Sequence, residues 1–250
     1  MIIFDLSIVE WIVIALSAVL IGFAKAGVAS MGILVVTIFM LVFPAKDAVG
    51  ILLPLLIIGD LYAVTYYRKN VVWKYLFALI PSVLIGILLG YVMLRFITNE
   101  QLKPMIGLLV LSLIVLHLIR DKLGERFNQA LPQSKLFTLL MGILAGFTTM
   151  IGNAAGGVMA IYLLVKGLPK REFVGTGAWF FLFVNVMKVP FYISLGMITV
   201  ESFSFNLWFI PLILLGAFLG VKVIHVIPQK VFQFLVLLFA AIGAVQLLFS

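Results

Sequence analysis

Long apolar runs separated by short polar interruptions fill this chain from end to end. About ten apolar segments can be marked, at 8–22, 30–43, 48–67, 73–94, 102–119, 135–147, 155–165, 172–196, 203–223 and 231–249. The runs are continuous rather than alternating, which is the pattern of membrane helices and not of barrel strands. One interruption is strongly polar: residues 120–135 hold Arg120, Asp121, Lys122, Glu125, Arg126 and Pro132. It divides the segments into two sets of five. The pattern predicts an all-α polytopic membrane protein. Its first transmembrane repeat would occupy 1–120, a cytoplasmic linker 121–134 and a second transmembrane repeat 135–250.

The two sets repeat one another. Pro44, Lys46, Asp47, Val49 and Gly50 match Pro169, Arg171, Glu172, Val174 and Gly175 in type and spacing. Thirteen residues past each acid, Asp60 aligns with Asn185. Pro81, Gly86 and Gly90 align with Pro211, Gly216 and Gly220. The offset drifts from 124 residues (Gly22 to Gly146) to 130 (Pro81 to Pro211), as small loop insertions produce.

Composition agrees with the segment pattern: 65% of residues are hydrophobic, 10% are charged, and mean hydropathy is +1.31. No cysteine is present, which excludes a disulfide, a thiolate metal site and a thiol nucleophile. The first residues lack a basic region and a small-residue cleavage site, so no cleaved signal peptide is expected. The net charge of +8 belongs to membrane topology rather than to nucleic-acid binding, because cytoplasmic loops accumulate Lys and Arg.

That rule also orients the chain. If each half crosses an odd number of times, one side collects Arg68, Lys69, Lys74, Arg120, Lys122, Arg126, Lys135, Lys166, Lys170, Arg171, Lys222 and Lys230. The other side collects only Lys46, Arg95 and Lys103. Even parity splits the charges nearly equally. Odd parity is therefore expected, with both termini outside the cytoplasm and the two repeats inverted. Inverted repeats are a recurring plan of secondary transporters, whose sites lie at the repeat interface.

Segments 8–22 and 30–43 are only 14–15 residues by this marking, roughly 22 Å of helix against a core of about 30 Å, and 135–147 and 155–165 are also short. Each pair is either a re-entrant hairpin or two steeply packed short spans. The tips, Gly22–Gly32 and Gly146–Gly157, are rich in small and polar residues, and the glycines predict helix breaks there. Broken backbone inside a membrane is buried in protein or lines a watery cavity.

A helix restarting after each tip offers unpaired N–H groups and a partial positive charge to an anion. Lys25, Gly27 and Ser30 in the first tip, and Thr149, Gly152 and Asn153 in the second, are the candidate substrate-binding residues there. Lys188 and Asn185 join them from segment 172–196, since an intramembrane lysine usually marks a pathway unless it snorkels to the surface. Asp60, a carboxylate well inside an apolar segment, is a candidate proton carrier, a cation ligand, or the ion-pair partner of Lys25 or Lys188. His117 and His225 lack a second ligand, so no metal site is read. The run Trp179–Phe183 reads as lipid-facing or packing surface. No nucleophile–base pairing or phosphate loop stands out, and neither enzyme chemistry nor a cofactor is expected.

A glycine-rich tip between two short helices, a Pro-x-basic-acid-x-Val-Gly step and the repetition of both resemble the TauE/SafE sulfite exporter family over essentially the whole chain. The resemblance implies a plasma-membrane exporter of sulfite, a sulfonate or a related anion, with the site at the two tips. The expected partners are that anion and the lipid bilayer, with no nucleic acid; a homo-oligomer stays open. Two other functions remain in view. One is a cation- or proton-coupled transporter of a neutral or zwitterionic solute, and the other is a non-transporting membrane subunit.

Overall fold

A computed structural model describes residues 6–25, 31–124, 126, 131, 134–223 and 229–249. Eleven helices lie among them. The first half holds α1 (Ile8–Lys25), α2 (Met31–Val42), α3 (Ala45–Tyr67), α4 (Trp73–Phe96) and α5 (Asn99–Leu123). The second holds α6 (Lys135–Gly152), α7 (Gly156–Val165), α8 (Lys170–Ser194), the pair α9 (Val200–Leu207) and α10 (Ile210–Val223), and α11 (Gln229–Phe249). Among the described residues six helices are long and apolar enough to cross a membrane, or seven if the bent α9–α10 pair is one span. The protein is an all-helical, multi-pass membrane protein.

The Pro-x-basic-acid step is a helix start. Pro44 and Pro169 precede α3 and α8 in extended conformation, with Asp47 and Glu172 in the first turns. Proline's missing N–H costs nothing at a helix N-terminus, and an acid there complements the helix dipole. The glycine that ends each motif has a packing role. A Cβ at Gly50 would collide with the carbonyl of Met197, and one at Gly175 with that of Asn70. Met197 lies in the α8–α9 connection and Asn70 in the α3–α4 connection, so each motif glycine admits a loop of the other repeat.

The same exchange governs the helices. α1 packs along α10, and α6 along α4. Cβ atoms at Gly22 and Gly216 would collide with the backbones of Ile213 and Val19, and those at Gly146 and Gly86 with Val83 and Ile143. The two sets are related by the sequence offsets of the repeats. At the centre α3 faces α8, and α5 faces α11. α3 is the most enclosed of the candidate spans, with 72% of its apolar window buried.

Three expectations change. The first helix of each half is 18 residues long, about 27 Å, rather than the 15 of segment 8–22 and the 13 of segment 135–147. The extra turns come from Ala24, Lys25, Thr148 and Thr149, which remain helical. Gly146 does not break a helix. It is a packing glycine, and the chain turns only at Asn153, whose φ of 53° is left-handed, a conformation that asparagine tolerates better than most residues. Finally, segment 203–223 is two helices bent by 50°. Pro211 cannot donate to the carbonyl of Leu207, so α9 ends before it. Its counterpart Pro81 sits inside the unbroken α4.

Candidate functional site

The site lies where α3 and α8 cross. Asp60, fully buried on α3, receives a hydrogen bond from Asn185 Nδ2 to its Oδ2 at 2.6 Å. Its Oδ1 is 2.6 Å from Lys25 Nζ at the end of α1. Gly59 opens the route for that lysine, since a Cβ there would stand 3.0 Å from Lys25 Cγ. Lys25 keeps 15% of its side chain exposed and lies 4.9 Å from the Phe181 ring centroid. A carboxylate in an apolar interior is tolerable only when paired and hydrogen-bonded, and this one is both.

A second polar cluster lies at the α6–α7 corner. Lys188, buried on α8, donates to the carbonyl and the hydroxyl of Thr149, each at 3.0 Å, and to Asn153 Oδ1 at 2.5 Å. The Asn153 amide donates onward to the Val49 carbonyl on α3 at 3.1 Å. Lys188 therefore does not snorkel; its ammonium turns inward, 5.5 Å from the Tyr192 ring centroid. Tyr192 fastens the same corner through its hydroxyl, 2.6 Å from the Met150 carbonyl.

Between the clusters is a cavity of about 100 Å³. Its polar lining is Lys25, Asp60, Asn185, Thr149 and Asn153, and its remaining wall is apolar. α7 brings its start to the cavity through Ala154 and Gly156, so first-turn N–H groups that a helix leaves unpaired stand near the space. Among the described residues one cation faces the cavity with a carboxylate already beside it, and neutral donors surround it. That arrangement can hold an anion that competes with Asp60 for Lys25.

Of the residues singled out in the sequence, the structure brings Lys25, Asp60, Asn185, Thr149 and Asn153 to one cavity. Lys188 stands behind its wall. Gly152 ends α6 against Ile106 and does not line the space. Gly27 and Ser30 lie outside the described residues. Sequence reasoning missed the stripe Phe173, Gly177 and Phe181, which lines the cavity above Asn185. Their spacing of four residues is one helix face, and a search for a stripe leading to Asn185 would have found it. Phe181 is thus a wall of the site rather than lipid-facing surface.

Comparison with known proteins adds one result of weight. Nothing among curated proteins or solved structures matches the chain. The family model for the sulfite exporter TauE/SafE matches residues 14–247, nearly the whole chain and both clusters. The chain belongs to the TauE/SafE sulfite exporter family.

Proposed function

We propose that this protein exports a small anion, sulfite or an organosulfonate, across the plasma membrane by alternating access between two inverted repeats. The observation that carries the reading is Lys25. It is a partly exposed cation at a buried cavity, held by a carboxylate that an incoming anion can replace. The first-turn N–H groups of α7 and the amide of Asn185 would supply neutral donors, and Asn153 and Thr149 would shape the far wall. Family membership supports the sulfur-anion class. The excess of Lys and Arg on one side of the odd-parity topology supports termini outside the cytoplasm. A membrane potential that is negative inside favours anion exit by about 2.3 kcal/mol per charge per 100 mV.

Asp60 would serve as counter-ion to Lys25 and, when an anion takes that lysine, as a group able to accept a proton. The competing idea is Asp60 as a cation ligand; its Oδ1 faces Lys25 and its Oδ2 accepts from Asn185. The reading is tested by flux from proteoliposomes loaded with sulfite or toluenesulfonate. Lys25→Met is expected to abolish anion-dependent flux. Undiminished flux in a folded Lys25→Met protein would remove Lys25 from the site.

A further inference from the structure

We propose that Lys188 is a positioning residue, a latch that ties the α6–α7 corner to α3 and α8 and so seals one end of the cavity. The proposal rests on the transporter reading but goes beyond it, because it assigns this lysine a gate rather than a ligand. An ammonium has three N–H donors. Lys188 has three acceptors, two on Thr149 and one on Asn153, so the corner takes its whole donor capacity and none is left for an anion. The side chain is fully buried and absent from the cavity wall, whereas Thr149 and Asn153 belong to that wall.

The repeat supplies the second argument. Lys188 corresponds to Ala63, which lines the cavity and has no ammonium to fasten anything. On that side Phe173 and Ala178 face the space. Their counterparts Ala48 and Leu53 are 1% and 0% exposed and take no part in the wall. The lining is therefore one-sided with respect to the repeats. The closed side is the one carrying the Lys188–Asn153–Val49 chain of hydrogen bonds. Releasing that chain cuts the links of Thr149 and Asn153 to both central helices and leaves Tyr192 as the hydrogen bond still tying the corner to α8, which loosens the corner as opening the second end requires.

The native chain has no cysteine, so single cysteines report access directly. Ala48→Cys and Ala178→Cys proteins in proteoliposomes are labelled with N-ethylmaleimide, with and without Lys188→Met. Ala178→Cys is expected to react faster than Ala48→Cys in the otherwise native protein. Lys188→Met is expected to raise the Ala48→Cys rate about tenfold or more, the scale of one lost charge-assisted hydrogen bond, while Ala178→Cys changes little. An unchanged Ala48→Cys rate overturns the latch. If Lys188→Met does not fold, Asn153→Gly keeps the lysine and suits the left-handed backbone while removing two links. The same selective rise is expected there, and its absence is equally fatal. Labelling uses no anion, so loss of the exporter reading alone would show as absent flux with the selective rise intact.

Discussion

Asp60 and Asn185 occupy the same place in the two repeats and touch, with the amide nitrogen 2.6 Å from the carboxylate oxygen. A residue can meet its own counterpart only close to the axis that relates the repeats. The cavity is therefore built where the halves face each other, and the single acid there breaks their equivalence.

Asn185→Asp would set a second carboxylate beside Asp60 in a buried place, where like charges repel and one must take up a proton. Thermal stability is expected to fall. The double exchange Asp60→Asn with Asn185→Asp restores one acid and one amide and is expected to recover stability beyond the sum of the single effects. A double-mutant cycle of melting temperatures in detergent checks the coupling.

Lys25→Met leaves Asp60 buried without its cation. Breaking such a pair from one side typically costs about 3–5 kcal/mol. Lys25→Met with Asp60→Asn removes both charges and is expected to regain most of that loss while anion flux stays absent. Stability and flux then part company, which a purely structural ion pair would not produce.

The tip glycines divide into two kinds. Gly146→Ala drives a methyl into the Val83 carbonyl, whereas Gly152→Ala meets only the Ile106 side chain at 3.5 Å. Overpacking of the first kind costs about 1–3 kcal/mol or more, so Gly146→Ala is expected to lower the melting temperature and Gly152→Ala to leave it nearly unchanged. Equal effects would mean that the α4–α6 contact is looser than the structure shows.

Asn153 contributes a left-handed backbone and two side-chain links. Asn153→Gly retains the first and loses the second, and Asn153→Ala loses both. The difference in stability between the two variants is expected to be about 1–2 kcal/mol, the cost of a left-handed alanine. A difference near zero would show that the corner does not hold that conformation.

Much of this was legible in the sequence because helix patterning and repetition are local. The Asp60–Asn185 alignment, the Pro-x-basic-acid step and the burial cost of Lys25 and Lys188 all follow from residue type and spacing. The second tip does break, but at Asn153 rather than at its first glycine: glycine lowers helix propensity on average, while here Gly146 is held in α6 by α4, a contact far along the chain. The sequence points to Lys188 because an intramembrane cation demands partners. Which partners it takes depends on where the α6–α7 corner falls, and composition does not encode that.

The exchange of helices between halves has a consequence for biosynthesis. α1 is made well before α10, yet the surface that fits Gly22 arrives only with α10, which begins at Ile210. Until then its small-residue groove faces lipid or a temporary companion in the insertion machinery. A chain cut within 121–134 gives two fragments, each holding helices whose packing partners lie in the other. Made separately, each fragment is expected to be degraded. Made together, they are expected to find one another in the bilayer and restore the protein.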